Sequence, residues 1–213
     1  MGERESNIPP SVLERMTKYL AFVQELADEG IEWVSSADLA KALSVNRSTV
    51  RQDLLHIDFS GISRRGYETK GFAKVLRRTL GMDLEWNMVI VGAGNVGTAL
   101  ALHGDLSRRG FYVGAIVDKD PERIGCEVGS MRVLDVSDLA SVIEDHDIKL
   151  GVIAVPAAEA QSAADALIKA GIKGMLNLAM THIAVPDKVS IVDSRIVADL
   201  LQLSHAVKNK LNI

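Results

Sequence analysis

The sequence predicts an α/β protein in which a small helical domain is followed by a doubly wound parallel sheet and a C-terminal helix. Apolar residues recur at helical spacing through residues 11–57, and an apolar strand at residues 88–91 runs directly into a glycine-rich turn and a helix. Strands then alternate with helices as far as residue 192, which is typical of a parallel sheet covered on both faces. We place the domains at residues 1–81, 82–194 and 195–213.

The composition is that of a soluble globular protein, with 213 residues of which 47% are hydrophobic and 24% charged. No apolar run reaches the roughly 18 residues that a membrane-spanning helix needs, and the first residues are polar, unlike a signal peptide. We therefore expect a cytoplasmic protein without a membrane partner. The lone Cys126 cannot form an internal disulfide and has no second thiol or histidine cluster with which to build a metal site. Any redox role would need a cofactor.

Three helices are predicted in the N-terminal domain. The first spans residues 11–29 and ends at Gly30. The second spans residues 37–43, and a capping box formed by Ser35 and Asp38 marks its start.

A tight turn at residues 44–46 leads into the third helix. This helix runs over residues 47–57, with Asn46 as a possible cap and with Val50 and Leu54 turned inward. Helix, short turn and helix is an arrangement that reads DNA, and it predicts a winged helix here because a basic segment follows.

The basic segment, residues 61–67, is flanked by glycines and predicts the hairpin that we call the wing. Arg64 or Arg65 at its tip could enter a minor groove, where A·T-rich DNA concentrates negative potential, whereas Tyr67 is more typical of a packed residue. The outward face of the third helix carries side chains that bind phosphates and base edges, although an ordinary solvated helix can carry the same residues. The candidate DNA-binding residues are Ser35, Asn46, Arg47, Ser48, Thr49, Arg51, Gln52, Arg64, Arg65 and Tyr67.

The formal net charge of −4 hides an uneven distribution of charge. Residues 40–80 carry nine Lys or Arg against three Asp or Glu, a local excess of six positive charges. Such an excess favours a polyanionic partner such as DNA, although a solvated basic face gives the same pattern.

A nucleotide-binding motif stands at the start of the second domain. The strand at residues 88–91 leads into the G-x-G-x-x-G sequence of residues 92–97 and then into a helix. The first glycine permits the tight turn, the second lets the backbone approach a pyrophosphate, and the third lets the helix pack closely. These features predict a Rossmann-type dinucleotide site at Gly92, Ala93, Gly94, Asn95, Val96 and Gly97.

A carboxylate follows the next strand. That strand, at residues 112–117, ends at Asp118, which lies 21 positions beyond Gly97. A carboxylate at this distance suits the ribose diol of NAD(H) and repels the 2′-phosphate of NADP, although Lys119 or Arg123 could still bind a phosphate. It also argues against a CoA-binding module of the same fold. NAD(H) is therefore the predicted cofactor.

Further helices and strands continue the alternation. They are predicted at residues 136–144 (helix), 150–155 (strand), 159–170 (helix), 174–178 (strand) and 189–192 (strand). Ligands of such sheets bind beyond the carboxyl ends of the strands, which adds candidate cofactor residues to the glycine motif and Asp118. These are Lys119, Val155, Pro156 and Leu178. Apolar side chains at residues 178–180 would favour the neutral ring of NADH over the charged ring of NAD+.

The final segment, residues 195–211, has apolar residues at helical spacing and is more apolar than a free terminal helix needs to be. We predict that it packs on another subunit.

The main alternative is a small NAD-dependent dehydrogenase with an appended helical domain, because this fold most often belongs to oxidoreductases. Four scattered histidines, His103, His146, His182 and His205, lack an acid–base partner at motif spacing. No catalytic residue is therefore predicted, and we expect no small-molecule substrate to be turned over.

Along most of its length the sequence resembles the Rex family of NADH-responsive transcriptional repressors. The resemblance is carried by Ser35-Ser36-Ala37-Asp38-Leu39-Ala40, Val50-Arg51-Gln52-Asp53-Leu54, Arg65-Gly66-Tyr67, Ala154-Val155-Pro156 and Ala170-Gly171-Ile172-Lys173-Gly174-Met175-Leu176-Asn177. It implies a homodimer with exchanged C-terminal helices that binds a palindromic, A·T-rich operator in the presence of NAD+ and leaves it in the presence of NADH. The sequence departs from the family at Gln52, where lysine is usual, at residues 56–60 before the wing, and at residues 178–180, where the family usually has Phe-Ala-Pro.

Overall fold

The computed structural model describes residues 8–194 and 196–211, which divide between Leu84 and Glu85 into two compact units. Within this described part of the chain, no helix is long and apolar enough to cross a membrane.

From residue 8 onward, where the structure describes it, the N-terminal unit contains four α-helices and two short strands. They are α1 (Pro10–Asp28), β1 (Trp33–Val34), α2 (Ser36–Ala42), α3 (Arg47–Asp53), β2 (Tyr67–Glu68) and α4 (Thr69–Thr79). The first three helices confirm the predictions, and α3 continues as a turn of 3-10 helix over Leu54–His56. Helix α4 and the antiparallel pair of β1 with β2 are not among the predictions, since two-residue strands leave no periodic pattern.

The core of this unit lies where the four helices meet. Large side chains from α1, α2 and α4 are fully buried, and α3 contributes the inward residues predicted for it, so each helix is held mainly by its apolar face. Burial of each large apolar side chain contributes about 1.5–3 kcal/mol. The principal core residues are Met16, Tyr19, Leu39, Val50, Leu54, Phe72 and Leu76.

The C-terminal unit contains seven strands and five helices within the described residues. They are β3 (Trp86–Val91), α5 (Asn95–Ala101), α6 (Asp105–Arg108), β4 (Phe111–Asp118), β5 (Glu127–Val128), β6 (Met131–Asp135), α7 (Leu139–Asp145), β7 (Leu150–Ile153), α8 (Ala160–Lys169), β8 (Gly174–Asn177), β9 (Ser190–Asp193) and α9 (Ile196–Leu211).

The strands form one sheet in the order β5-β6-β4-β3-β7-β8-β9, in which β5 and β6 are antiparallel and the other neighbours are parallel. The six parallel strands follow the order of dinucleotide-binding sheets, whose ligands bind where the order reverses, here beside β3. Val89 and Val91 face one core while Met88 and Ile90 face the other, as expected of a strand covered on both sides. The predicted doubly wound fold is confirmed.

The structure corrects the prediction at one edge of this sheet. Strands β5 and β6 are not among the predicted strands, and the helix predicted from residue 136 begins instead as a 3-10 turn over Val136–Asp138. Arg132 interrupts the apolar run of β6, which obscures the strand in the sequence.

Helix α9 is exposed at every residue from Ile196 to Leu211. The helix itself confirms the prediction. Its apolar side chains, which no described residue covers, are Ile196, Val197, Leu200, Leu201, Leu203, Val207 and Leu211.

Candidate functional site

The surface predicted to meet DNA is built on α2 and α3. The predicted capping box is present: Ser35 Oγ accepts hydrogen bonds from the N–H groups of Ala37 and Asp38, and the Asp38 carboxylate accepts one from the Ser35 N–H. The hydrogen bonds from Ser35 hold the pKa of Asp38 below its ordinary value. Ser35 therefore fixes the start of α2, next to the wing.

Helix α3, which we call the recognition helix, presents the predicted polar side chains to solvent. Thr49 is half-buried, and the exposed residues are Asn46, Arg47, Ser48, Arg51 and Gln52. Asn46 occupies the N-cap position with an extended backbone, but the predicted cap does not form because its side chain makes no capping hydrogen bond. The Asn46 amide thus stays at the surface, where such a group can bind a base edge.

A buried ionic network fixes the inner side of the recognition helix. Asp53 is 2% exposed and accepts two hydrogen bonds from the Arg15 guanidinium, each 2.7 Å long, and one of 2.8 Å from Tyr19 Oη. Burial alone would raise the pKa of Asp53, but these donors bring it below its ordinary value. Burial, together with the hydrogen bond donated to Asp53, raises the pKa of Tyr19. The network ties α3 to α1, and the sequence hides it because Arg15 and Tyr19 fall within an ordinary amphipathic pattern.

The wing forms a small hairpin, as predicted. Ile62 and Gly66 make an antiparallel bridge with two backbone hydrogen bonds of 2.7 and 2.9 Å, and Arg64 at the tip has a left-handed φ of +64°. Gly66 has a φ of +98° and passes so close to the Val34 carbonyl that a Cβ there would collide with it. The wing is therefore fastened by its backbone to β1.

The side chains of the wing differ in their surroundings. Tyr67 is half-buried and packs on the ring of Phe72, with 5.4 Å between the ring centroids, so it supports the wing from within. Arg64 and Arg65 are exposed, and the guanidinium carbon of Arg65 lies 4.1 Å from the centroid of the Trp33 ring.

The glycine-rich turn lies between β3 and α5, at the carboxyl edge of the sheet. Gly92 has a φ of +107°, and a Cβ there would lie 2.5 Å from the Ala154 carbonyl oxygen. A Cβ on Gly97 would collide with the Gly92 carbonyl, so α5 packs this closely because the residue is glycine. A Cβ on Gly94 would face the Arg123 guanidinium at 3.1 Å. The geometry fits the roles predicted for Gly92 and Gly97, while the role of Gly94 toward a pyrophosphate stays a prediction.

Asp118 joins this turn from the end of β4. Its Oδ2 accepts a hydrogen bond of 2.7 Å from the Ala93 N–H, and its Oδ1 accepts bonds of 2.8 and 3.0 Å from the N–H groups of Lys119 and Asp120. Burial would raise the pKa of Asp118, but these backbone donors hold it below its ordinary value, so the carboxylate is ionised at neutral pH. Arg123 approaches Oδ2 at 3.5 Å, a long contact that a ribose hydroxyl could replace.

A cavity of about 390 Å³ opens beside Asp118 and falls within the size range of ligand pockets. Four of the predicted cofactor residues line it: Gly92, Asp118, Lys119 and Val155. Its other lining residues, which sequence analysis missed, are Val91, Val136, Ser137, Ala158, Glu159, Ser162, Ala163 and Ala166. Half of them, namely Ala158, Ser162, Ala163 and Ala166, are small residues on α8 or just before it, where they are indistinguishable in sequence from helix-packing positions. Lys119 Nζ and Glu159 Oε1 lie 2.9 Å apart in an ion pair at this cavity.

The remaining predicted cofactor residues surround the glycine turn and the ends of β7 and β8. Ala93 and Gly94 are half-buried in the turn, while Asn95 and Val96 are exposed in the first turn of α5. Pro156 is exposed after β7. Of the apolar segment at residues 178–180, the first residue is half-buried, the second is buried and the third is 77% exposed.

Asn177 organises the loop that follows β8. Its side chain donates hydrogen bonds of 2.8 Å to the Thr181 carbonyl and to Asp193 Oδ1, and it accepts one of 3.0 Å from the Ala179 N–H. Asn177 is 2% exposed, whereas its partner Asp193 is exposed, so the bond between them connects the core to the surface. Because Asp193 ends β9, this loop is tied to the strand that precedes α9.

The described ranges, 8–194 and 196–211, bring together no group of three His, Cys, Asp or Glu side chains that could hold a metal ion. His103, His146, His182 and His205 are all exposed.

Comparisons with known proteins follow the division into two units. Residues 7–54 match the family model described as Putative DNA-binding protein N-terminus, and residues 83–181 match the model described as CoA binding domain. The chain is 37% identical over 201 residues to the redox-sensing transcriptional repressor Rex of Carboxydothermus hydrogenoformans, an alignment that covers 94% of this chain and 97% of the relative.

Solved structures match over nearly the whole chain. RSP, a Rex-family repressor, in complex with β-NADH is 29% identical, with a TM-score of 0.87 and coverage of 96% of each chain. RSP in complex with β-NAD+ and operator DNA is also 29% identical, with a TM-score of 0.89 and coverage of 95% of this chain and 94% of that one. These matches confirm the resemblance seen in the sequence. The chain belongs to the Rex family of redox-sensing transcriptional repressors.

Proposed function

We propose that this protein, as a homodimer, binds a palindromic, A·T-rich operator through the recognition helix and the wing, and that it leaves the operator when NADH occupies the site beside the glycine turn. The observation that carries the proposal is the ionised carboxylate of Asp118, held against the Ala93 N–H at the point where the strand order reverses. The other unit of the same chain carries a basic helix-turn-helix. The RSP complexes with β-NADH and with β-NAD+ and operator DNA support this combination.

The DNA-binding part of the proposal rests on charge and geometry together. Cations of residues 40–80 would bind the phosphate backbone, while Asn46, Arg51 and Gln52 of the exposed recognition-helix face would contact base edges in a major groove. The cations, of which Arg77 is half-buried and the others exposed, are Lys41, Arg47, Arg51, Arg64, Arg65, Lys70, Lys74, Arg77 and Arg78.

Asp118 favours NAD(H) over phosphorylated nucleotides. The Asp118 carboxylate can accept hydrogen bonds from both hydroxyls of an unmodified ribose, whereas it repels the 2′-phosphate of NADP and the 3′-phosphate of CoA. The cavity lined by α8 would hold the adenine. The family match over residues 83–181 makes CoA the second candidate ligand, so the experiment below includes it.

Discrimination between the two redox forms is assigned to the loop after β8. Leu178 and Ala179 offer apolar surface to a nicotinamide ring, which costs less to desolvate in its neutral, reduced form. Asn177 transmits a shift of this loop through its hydrogen bond to Asp193. Differential binding of about 3 kcal/mol would change the ratio of two dimer states more than a hundredfold.

The exposed apolar face of α9 is the proposed dimer contact, covered by a second copy of this chain. A change of dimer angle would move the two recognition helices away from successive major grooves, which lie about 34 Å apart. We further infer a cytoplasmic location. We also infer that the protein turns over no substrate, because the dispersed, exposed histidines offer no acid–base pair.

Fluorescence anisotropy of the full-length protein on labelled A·T-rich palindromes tests the proposal. We expect tight binding, release by micromolar NADH, opposition by NAD+, and little effect of NADPH or CoA. DNA binding that is indifferent to NADH and NAD+ would contradict the sensor function, and release by CoA would favour the second candidate. Absence of binding to a panel of palindromes, together with hydride transfer to a metabolite, would favour the dehydrogenase.

A further inference from the structure

We propose that Trp33 is a positioning residue for the wing. Its ring holds Arg65 against β1, where the guanidinium contacts a DNA phosphate, and Arg64 is left free to enter the minor groove. The inference rests on the proposed DNA-binding function. From the sequence alone either arginine could enter the minor groove, whereas here the two arginines have different roles.

The contact of Arg65 with Trp33 is the first observation. The guanidinium carbon lies 4.1 Å from the ring centroid, well within the range of a cation–π interaction. Trp33 is itself fixed, because it is half-buried in β1 and pairs with Glu68 of β2. The ring therefore restricts the rotamers of Arg65 before any DNA is bound, so less side-chain entropy is lost on contact with a phosphate.

The backbone of the hairpin separates the two arginine side chains. The Ile62–Gly66 bridge closes the hairpin, and the left-handed φ of Arg64 turns the chain at its tip. A Cβ at Gly66 would collide with the Val34 carbonyl, so the wing packs closely on β1. On this rigid base Arg65 is held by Trp33, while Arg64 is exposed and has no ring contact or ion pair among the described residues.

The two side chains should then contribute different properties to binding. A held guanidinium adds sequence-independent affinity and salt dependence through the phosphate backbone. A free guanidinium at the tip gains most in a narrow minor groove, so it adds preference for A·T over G·C base pairs. Trp33 should thus affect affinity and leave sequence preference unchanged.

The experiment compares W33L, W33F, R65A, R64A and the double variant W33L/R65A in the full-length protein. Two labelled palindromic duplexes are used, which differ in having A·T or G·C pairs where the wing lies. We expect W33L and R65A each to bind both duplexes about fivefold more weakly, and to lower the slope of log affinity against log salt by about two per dimer. The double variant should be no weaker than either single variant, because both changes remove one interaction. R64A should instead bring the two duplexes to similar affinity.

W33F retains an aromatic face and should bind like the wild type, which separates the ring contact from a general requirement for a large side chain. R65A leaves β1 untouched. The salt dependence of its DNA binding therefore tests the phosphate contact of Arg65 even if W33L does not fold.

The outcomes distinguish this inference from the proposed function. A wild type that binds and is released by NADH, with W33L unchanged or with additive effects of W33L and R65A, overturns the positioning role alone. Loss of the A·T preference in R65A instead of R64A also overturns it. A wild type that binds no palindrome overturns the proposed function and this inference with it.

Discussion

In the N-terminal unit side chains hold the recognition helix in place, whereas in the C-terminal unit close backbone contacts shape the glycine turn. The recognition helix depends on the hydrogen bonds of Arg15 and Tyr19 to Asp53. The glycine turn depends on close backbone contacts of Gly92 and Gly97. A surface held by side chains can be disturbed from a neighbouring helix, while a turn held by its backbone fails mainly where a Cβ is added to it.

The largest effect should come from Gly97→Ala. Its Cβ would collide with the Gly92 carbonyl, so either the turn or α5 must move. We expect the C-terminal unit to lose roughly 3 kcal/mol of stability, at the upper end of overpacking costs, and NADH affinity to fall about 100-fold. Calorimetric melting and NADH titration measure the two effects.

Two further glycines serve as controls for this prediction. Gly94→Ala faces the flexible Arg123 guanidinium and should keep its melting temperature, yet lose NADH affinity because the backbone can no longer approach the pyrophosphate. Gly104→Ala has no neighbour within 4 Å of the added Cβ and should resemble the wild type. Normal melting and NADH binding by G97A would show that the backbone contact does not determine the site.

This difference between the units also explains what sequence analysis could predict. The glycine motif was predictable because each glycine meets a local backbone requirement, and Asp118 was predictable because it follows the motif at a fixed spacing. The Arg15–Tyr19–Asp53 network was not predictable. Arg15 and Tyr19 precede Asp53 by 38 and 34 positions, and each of the three residues suits an ordinary helix. The α8 side of the cavity was missed for the same reason, because small residues such as Ala163 give the same pattern in any helix packed on a sheet.

The next largest effect should come from Asp53→Asn, which leaves the Arg15 guanidinium without its buried carboxylate. We expect the N-terminal unit to lose about 2–3 kcal/mol, less than for a fully buried pair because Arg15 is partly exposed. Operator affinity should fall while NADH affinity stays normal. Urea unfolding and titrations with operator DNA and with NADH test this. Asp58→Asn, at an exposed position, is the charge-matched control. A normal melting profile for D53N would show that apolar packing suffices to hold the recognition helix.

The same carboxylate gives a pH dependence of definite sign. Because the folded-state pKa of Asp53 is lowered, its stabilising contribution is complete above its ordinary pKa of about 3.9 and is lost as the pH falls through the folded value. The difference in melting temperature between wild type and D53N should therefore be constant from pH 7 to about pH 5 and shrink in stronger acid. A difference that grows on acidification would contradict this assignment.

The smallest effect should come from Lys119→Gln. Its ion pair with Glu159 is exposed, with 65% of the lysine side chain accessible, and such pairs contribute about 0–1 kcal/mol. NADH affinity should change less than about threefold, and Glu159→Gln should behave alike. A tenfold change in either variant would show that this ion pair, beside the glycine backbone and Asp118, helps to determine the site.

The proposed dimer contact of α9 has a kinetic consequence. If a second copy covers its exposed apolar residues, α9 completes its packing only on assembly, so the last step would be bimolecular and its rate would rise with protein concentration. At low expression the abundance of paired chains would then scale with the square of chain abundance, and halving synthesis would remove more than half of the active repressor. The set point of the redox response would thus depend on gene dosage as well as on the cofactor pool.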